Sequence, residues 1–207
     1  AVREISIKES ISMNGENAKY NVVAVDYGSP RKQLNAFLLN GCNVTLVPAF
    51  TTAEDIMKYN PDGVVLCDGP ADPDDEPKLI KNIAELIKND VPVFAIGLGH
   101  QMLALANDFK IIKMEKGHRG SNQPVIIEGT KKIMVTDQNH GYAVDKNTVA
   151  ENAKIIMTNV NDGTVEGLKY NNFKGLSVQF TPKGDIDSST GFIIRDFFKM
   201  MDGEENA

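Results

Sequence analysis

The chain has 207 residues, a formal net charge of −6 and a hydrophobic fraction of 42%, which suits one domain with a substantial core. No apolar run approaches the roughly 20 residues that cross a bilayer, and no Lys/Arg face is concentrated enough to neutralise a phosphate backbone, so neither a membrane nor a nucleic-acid partner is expected. The only cysteines, Cys42 and Cys67, have no framework spacing, and neither a CxxC nor an HExxH pattern occurs, so a reducing, cytoplasmic (or organellar) protein without zinc is expected.

Residues 1–18 carry little pattern and read as an N-terminal extension or linker remnant. The opening Ala1-Val2-Arg3-Glu4 lacks the basic start and apolar stretch of a secretory signal, and the non-Met start reads as processing or excision from something longer. Tyr20–Asp26 is a short β-branched run ending near Gly28, which predicts a buried strand. Pro30 suits the first turn of a helix that carries Leu34, Phe37 and Leu38 and stops at Gly41. Residues 44–48 form the next strand, and Thr51 or Thr52 caps a short helix through Glu54, Ile56 and Met57. A third strand spans 63–67, a helix opens at Pro77, a fourth strand spans 93–96, and a helix follows from about His100 to Asn107. Strands alternating with helices across short connections predict a doubly wound parallel sheet.

The second half differs. Strand-like runs at 131–136, 153–159 and 176–180 are separated by Asn/Gly-rich turns, which predicts antiparallel additions at the sheet edge. A last helix over 191–201 places Phe192, Ile193, Phe197 and Met200 on one apolar face, and the polar tail 203–207 is expected to fray. The expectation is an α/β fold with a mixed sheet, a mainly parallel core and helices on both faces, as one domain over 19–202.

Ligands of open parallel sheets bind beyond the carboxyl ends of the strands, which singles out the loops 68–72, 97–101 and 181–184. Ile96-Gly97-Leu98-Gly99 is a tight strand-to-helix turn whose glycines permit unusual backbone angles, ahead of a helix N-terminus with free N–H groups. On its own it is either a simple joining turn or an elbow that presents its central residue.

Further segments carry more. Val23-Ala24-Val25-Asp26-Tyr27-Gly28, Asn60-Pro61-Asp62-Gly63, Gly99-His100-Gln101-Met102-Leu103-Ala104-Leu105-Ala106, Gly117-His118-Arg119-Gly120-Ser121-Asn122-Gln123-Pro124-Val125, Gln138-Asn139-His140-Gly141-Tyr142-Ala143-Val144-Asp145 and Asn161-Asp162-Gly163-Thr164-Val165-Glu166-Gly167-Leu168 follow one another in that order. Together they resemble the glutaminase domain of the carbamoyl-phosphate synthetase small subunit, a class I glutamine amidotransferase with a flavodoxin-like sheet. The resemblance covers roughly residues 19–201. It implies a cysteine thiolate that attacks the side-chain amide of glutamine, a histidine that activates it, a glutamate that orients the histidine, and ammonia passed to a large subunit. No cofactor is implied for this domain.

That family writes Gly-x-Cys-x-Gly-His/Gln at the elbow and Phe/Tyr-His-Pro-Glu further on. Here the matching triad positions carry Gly97, Thr181 and Lys183, so the resemblance implies lost glutaminase chemistry. The family's glutamine-contacting positions match Leu98, Gln101, Asn139, Gly141 and Tyr142. Gly69 matches one glycine of its Gly-Pro-Gly oxyanion turn, while Ala71 replaces the other and adds a Cβ. Ser29-Pro30 replaces the family's common Ile-Lys. Three readings stand: a structural or regulatory domain for a synthetase large subunit that uses free ammonia, a glutamine-sensing module, or an active amidotransferase with another nucleophile such as Cys67. The pathway served, pyrimidine or arginine synthesis, is open. His100 and His140 read as structural hydrogen-bonding residues, and His118-Arg119 as an ordered loop. Asp72, Asp74, Asp75 and Glu76 read as a solvated acidic loop rather than a cation site.

Overall fold

The short β-branched runs and the amphipathic segments between them fold into one ten-stranded sheet with helices on both faces. The computed structural model describes residues 2–204. In chain order the elements are α1 (Val2–Ile5), β1 (Ile11–Met13), β2 (Tyr20–Asp26), α2 (Arg31–Leu39), β3 (Cys42–Pro48), α3 (Ala53–Met57), β4 (Gly63–Leu66), α4 (Pro77–Leu86), β5 (Val93–Ile96) and α5 (Leu98–Leu105). There follow β6 (Ile111–Ile127), β7 (Ile133–Val144), β8 (Ala153–Asn159), β9 (Val165–Tyr170), β10 (Gly175–Val178) and α6 (Phe192–Met201). The strand order is β1-β3-β2-β4-β5-β10-β9-β8-β6-β7. β3, β2, β4, β5 and β10 run parallel, and the strands outside them pair antiparallel.

The parallel centre is buried on both faces, as crossover helices require. Every residue of β4 and β5 is buried. Alternate residues serve two cores. Val23, Val25, Val64, Leu66, Val93 and Ala95 pack with α3, α4 and α5, whereas Val22, Ala24, Val65, Phe94 and Ile96 pack with α2 and α6. Phe37, Phe94 and Phe197 form an aromatic triangle in the second core, with ring centroids 5.5–6.3 Å apart.

Of residues 2–13, expected as part of an extension, 11–13 join the sheet edge and 2–7 pack against it. β1 pairs antiparallel with β3, Val2 is fully buried, and the Ile7 N–H donates to Asp26 Oδ2 at 2.8 Å. At the other end Glu204 N–H donates to Lys199 O and Gly203 N–H to Met200 O, with Gly203 at φ 73°, so residues 203 and 204 close α6 as a Schellman motif. The rest of the expected frayed tail, 205–207, lies outside the described residues. Asp202 accepts from Lys19 Nζ and Tyr20 OH, both at 2.8 Å, and ties α6 to the start of β2.

The second half corrects the sequence reading. Residues 111–127 form one 17-residue strand, so His118 and Arg119 lie on β6 rather than in a loop. Glycines, charges and register shifts after Lys113 and after Gly120 hide its period. β7 extends eight residues past the expected end at 136, to Val144. Among the described residues, no helix is long and apolar enough to cross a membrane.

Phe197 is fully buried between Phe37 and Phe94. Phe197→Ala should cost about 3–5 kcal/mol, read as a lowered midpoint in chemical denaturation, whereas Ile133→Ala on the exposed edge of β7 should cost under about 0.5 kcal/mol.

Candidate functional site

A cleft of about 1070 Å³ opens above the carboxyl ends of the parallel strands. Its floor is the turn from β5 into α5. Gly97 caps α5 with φ 58° and ψ −115°, backbone angles that oppose an L side chain. Gly99 is needed for a different reason: a Cβ there would stand 2.3 Å from Leu66 O, because the first turn of α5 rests on β4. At Gly97 a Cβ would meet Asp68, 2.1 Å from Oδ1. That oxygen accepts the Gly69 N–H at 2.8 Å and the Leu98 N–H at 2.9 Å. Burial pushes the Asp68 carboxyl above the usual range, and the two N–H donors oppose the shift.

The glutamine-contacting positions inferred from resemblance converge here. Gly69, Ala71 and Leu98 line the floor, Gln101 the rear, and Asn139, Gly141 and Tyr142 the wall made by β7. Gln101 Nε2 is engaged with the protein itself, donating to Tyr142 O at 3.0 Å and to Gln179 Oε1 at 2.9 Å. The Tyr142 hydroxyl donates to the Asp72 carboxylate and bridges the wall to the loop after β4. Asp72 therefore belongs to the cleft rather than to a merely solvated loop, and it also caps the turn Pro73–Asp75 by accepting Asp74 N–H.

Of the three positions that the resemblance matches to the triad, Gly97 and Thr181 line the cleft. Thr181 is held by a backbone bond to Asp137 on β7. Lys183 is not part of the lining, and its backbone N–H donates to Thr190 Oγ1 at 2.9 Å. Cys67 is fully buried, and that burial, beside Asp26 and Asp68, pushes its thiol far above the ordinary range, so it offers the cleft no nucleophile.

Behind the wall lies a polar network that sequence reasoning did not assemble. His118 Nδ1 lies 2.8 Å from Gln138 Oε1 and 3.3 Å from Glu166 Oε1, and its Nε2 lies 2.9 Å from Asp162 Oδ2. Gln138 Nε2 donates to Glu166 Oε2 at 2.8 Å and to Thr136 Oγ1 at 3.0 Å. His140 Nε2 meets the same Gln138 Oε1 at 2.7 Å. The fully buried Glu166 is the largest reason that the His118 ring is pushed up to about 9, with burial opposing and Asp162 adding to the rise. His140 is pushed down to about 4 and His100 to about 3, both chiefly by burial. His100 Nδ1 pairs with Ser177 Oγ at 2.7 Å, while its Nε2 has no partner among the described residues. Ligand atoms of His118, His140 and Glu166 lie within 4.8 Å of one another. A cation there would have to displace Gln138, whose side chain already contacts all three. Each member of the network sits in a segment singled out in the sequence, but their convergence required the pairing of β6 with β7 and β8.

Because the folded value of His118 is raised above that of a free imidazole, its ion pairs stabilise the fold fully below about pH 6.5 and are lost as pH rises through 9. Stability should fall by on the order of 2 kcal/mol between pH 6.5 and pH 9.5, and His118→Gln should flatten that slope. Urea denaturation at stepped pH reads both.

Comparison with known proteins agrees with this build. Residues 23–201 match the family model described as glutamine amidotransferase class-I. The chain is 43% identical over 187 residues to a carbamoyl phosphate synthase small chain of Akkermansia muciniphila, covering 89% of this chain and 50% of that one. It is 47% identical over 163 residues to a carbamoyl phosphate synthase pyrimidine-specific small chain of Lactiplantibacillus plantarum, covering 78% and 44%. The chain thus spans about half the length of the curated relatives it matches. A solved glutamine amidotransferase of Thermotoga maritima shares the fold at 18% identity with a TM-score of 0.63, over 91% of this chain and 84% of that one. With the elbow after β5 and a family match along most of its length, the chain belongs to the class-I glutamine amidotransferases.

Proposed function

We propose that this chain is the glutaminase-like domain of a carbamoyl-phosphate synthase and no longer hydrolyses glutamine. It serves the synthase large chain as a structural or regulatory part, and ammonia enters that enzyme free. The observation that carries the reading is Gly97 at the elbow, where the family resemblance places the thiol. Glycine supplies no nucleophile, Thr181 is no base near neutral pH, and Lys183 carries the wrong charge to orient an imidazole. The buried Cys67 provides no substitute. The similarity to small chains at 43–47% identity supports the partner.

A second reading, a module that binds glutamine without cleaving it, is favoured by the open cleft and by the gathering of Leu98, Gln101, Asn139, Gly141 and Tyr142 along it. Calorimetric titration with L-glutamine beside an assay for glutamate release separates the two. The expected outcome is no release above background; measurable release would overturn the inactive reading, and saturable binding without release would select the sensor.

Gly97→Cys alone should leave glutamate release at background, because losses within a catalytic unit are not additive. Recovered turnover in that single variant would show that Thr181 and Lys183 do not stand where the base and its orienter are needed.

A further inference from the structure

We propose that the Asp68 carboxylate is the resident occupant of the two backbone N–H donors at the Gly97 elbow, and that it decides what the cleft accepts by excluding any ligand that brings a carbonyl or carboxylate oxygen to that point. The inference rests on the reading that this cleft does no glutamine hydrolysis.

Three observations converge. First, the Gly69 N–H from the loop after β4 and the Leu98 N–H from the first turn of α5 meet at one oxygen, Asp68 Oδ1. Two N–H groups aimed at one point beside a helix N-terminus form a site for an anionic or carbonyl oxygen. Here the protein fills it with its own carboxylate. Second, the filled point is the space that any side chain at residue 97 would need: a Cβ would fall 2.1 Å from Oδ1, 2.3 Å from Cγ and 2.9 Å from Oδ2. Gly97 and Asp68 are therefore complementary, since the carboxylate lies in this place because residue 97 has no Cβ. Third, Asp68 lines the cleft, and among the described residues Oδ2 accepts no hydrogen bond.

The consequence is a change in the chemistry of the floor. Two vacant donors would attract an amide carbonyl, a carboxylate or a developing oxyanion. With Asp68 in place the same point presents an acceptor, and it opposes a second negative group there by repulsion and by the lack of free donors. A group entering at the floor must donate hydrogen bonds, as an ammonium or a primary amide nitrogen does.

L-Glutamate is the discriminating probe, because its side chain only accepts at neutral pH. In Asp68→Ala, the amide resonances of Gly69 and Leu98 should shift upfield on loss of their acceptor and then move saturably with added L-glutamate. The affinity should be at least about tenfold tighter than that of the native chain, the scale of one charge-assisted hydrogen bond. Equal responses in the native chain and in Asp68→Ala, or no response in either, would overturn the proposal. Should Asp68→Ala fold poorly, Asp68→Asn decides. In the native chain the two amides should titrate together with the Asp68 carboxyl, and in Asp68→Asn that titration should vanish; its persistence would show that another group is responsible. A cycle with Gly97→Ala adds a structural test, since the backbone strain at residue 97 is common to both arms. Gly97→Ala should lower the unfolding midpoint less in Asp68→Ala than in the native chain, and an equal drop would argue against complementarity. Glutamate release from glutamine, assayed separately, would defeat the inactive reading without touching these amide measurements.

Discussion

The cleft depends on how closely the first turn of α5 lies on β4. Gly99 packs against the carbonyls of Leu66 and Cys67 with no room for a Cβ, and this contact sets where the α5 N-terminus stops and where its free N–H groups point. The Gly97 turn then carries the chain from β5 into α5 within a single residue. Two loops from separate strands are thereby brought close enough for Gly69 and Leu98 to share one acceptor. A longer connection or a larger residue at position 99 would lift the helix and separate the donors. The floor of the site is thus a packing result before it is a chemical one.

The wall depends on a different kind of interaction. β6 and β7 form a long ribbon at the far end of the sheet, paired to β8 only over Val125–Ile127. The outer parts of such a ribbon would twist freely without an anchor. The anchor is polar: His118 on β6 and Gln138 on β7 converge on Glu166 of β9, across the intervening strands. A buried carboxylate is costly unless paired and hydrogen-bonded, so Glu166 holds the ribbon because leaving it unpaired would cost more than the pairing constrains. Tyr142 and Gln101 extend that hold from the ribbon to Asp72 and to Gln179 just after β10, bracing the wall of the cleft.

The same division explains which parts of the molecule could be read from the chain. β2, β4 and β5 are buried on both faces, and such strands are continuous apolar runs bounded by turn residues, so their bounds were visible almost to the residue. β6 is not visible, since its apolar residues cluster at its two ends, a polar and Gly-containing middle with His118 separates them, and its register breaks twice. β7 is legible only where Met134 and Thr136 alternate with exposed neighbours, and not where Gln138, Asn139 and His140 turn to the network and the cleft. Residues that serve a site depart from the hydrophobic period by which strands are recognised. At the floor, the resemblance points to Gly97 and Thr181 but not to Asp68, because a side chain that fills the space beside a residue without a Cβ leaves no mark in residue spacing. Lys183, inferred beside them, stands off the cleft lining for an equally local reason: the chain turns after Pro182 toward Thr190.

Under the proposed reading, loss of a nucleophile does not leave the elbow at rest. A residue with a Cβ held near φ 58° and ψ −115° stores on the order of 1–3 kcal/mol of strain, which glycine removes. Yet the same change opens a gap above two N–H groups that the fold cannot redirect, one fixed by the start of α5 and the other by the turn after β4. Both donors face the open cleft, where without Asp68 only water or a ligand would meet them. Asp68 resolves that conflict by accepting both. Its own burial cost, visible in the raised carboxyl, is the remainder. Under the proposed reading, chemistry at the elbow was not simply deleted: the donors that once had reason to wait for a substrate oxygen are satisfied by an oxygen of the chain itself, and the stability of the floor no longer depends on anything entering the cleft.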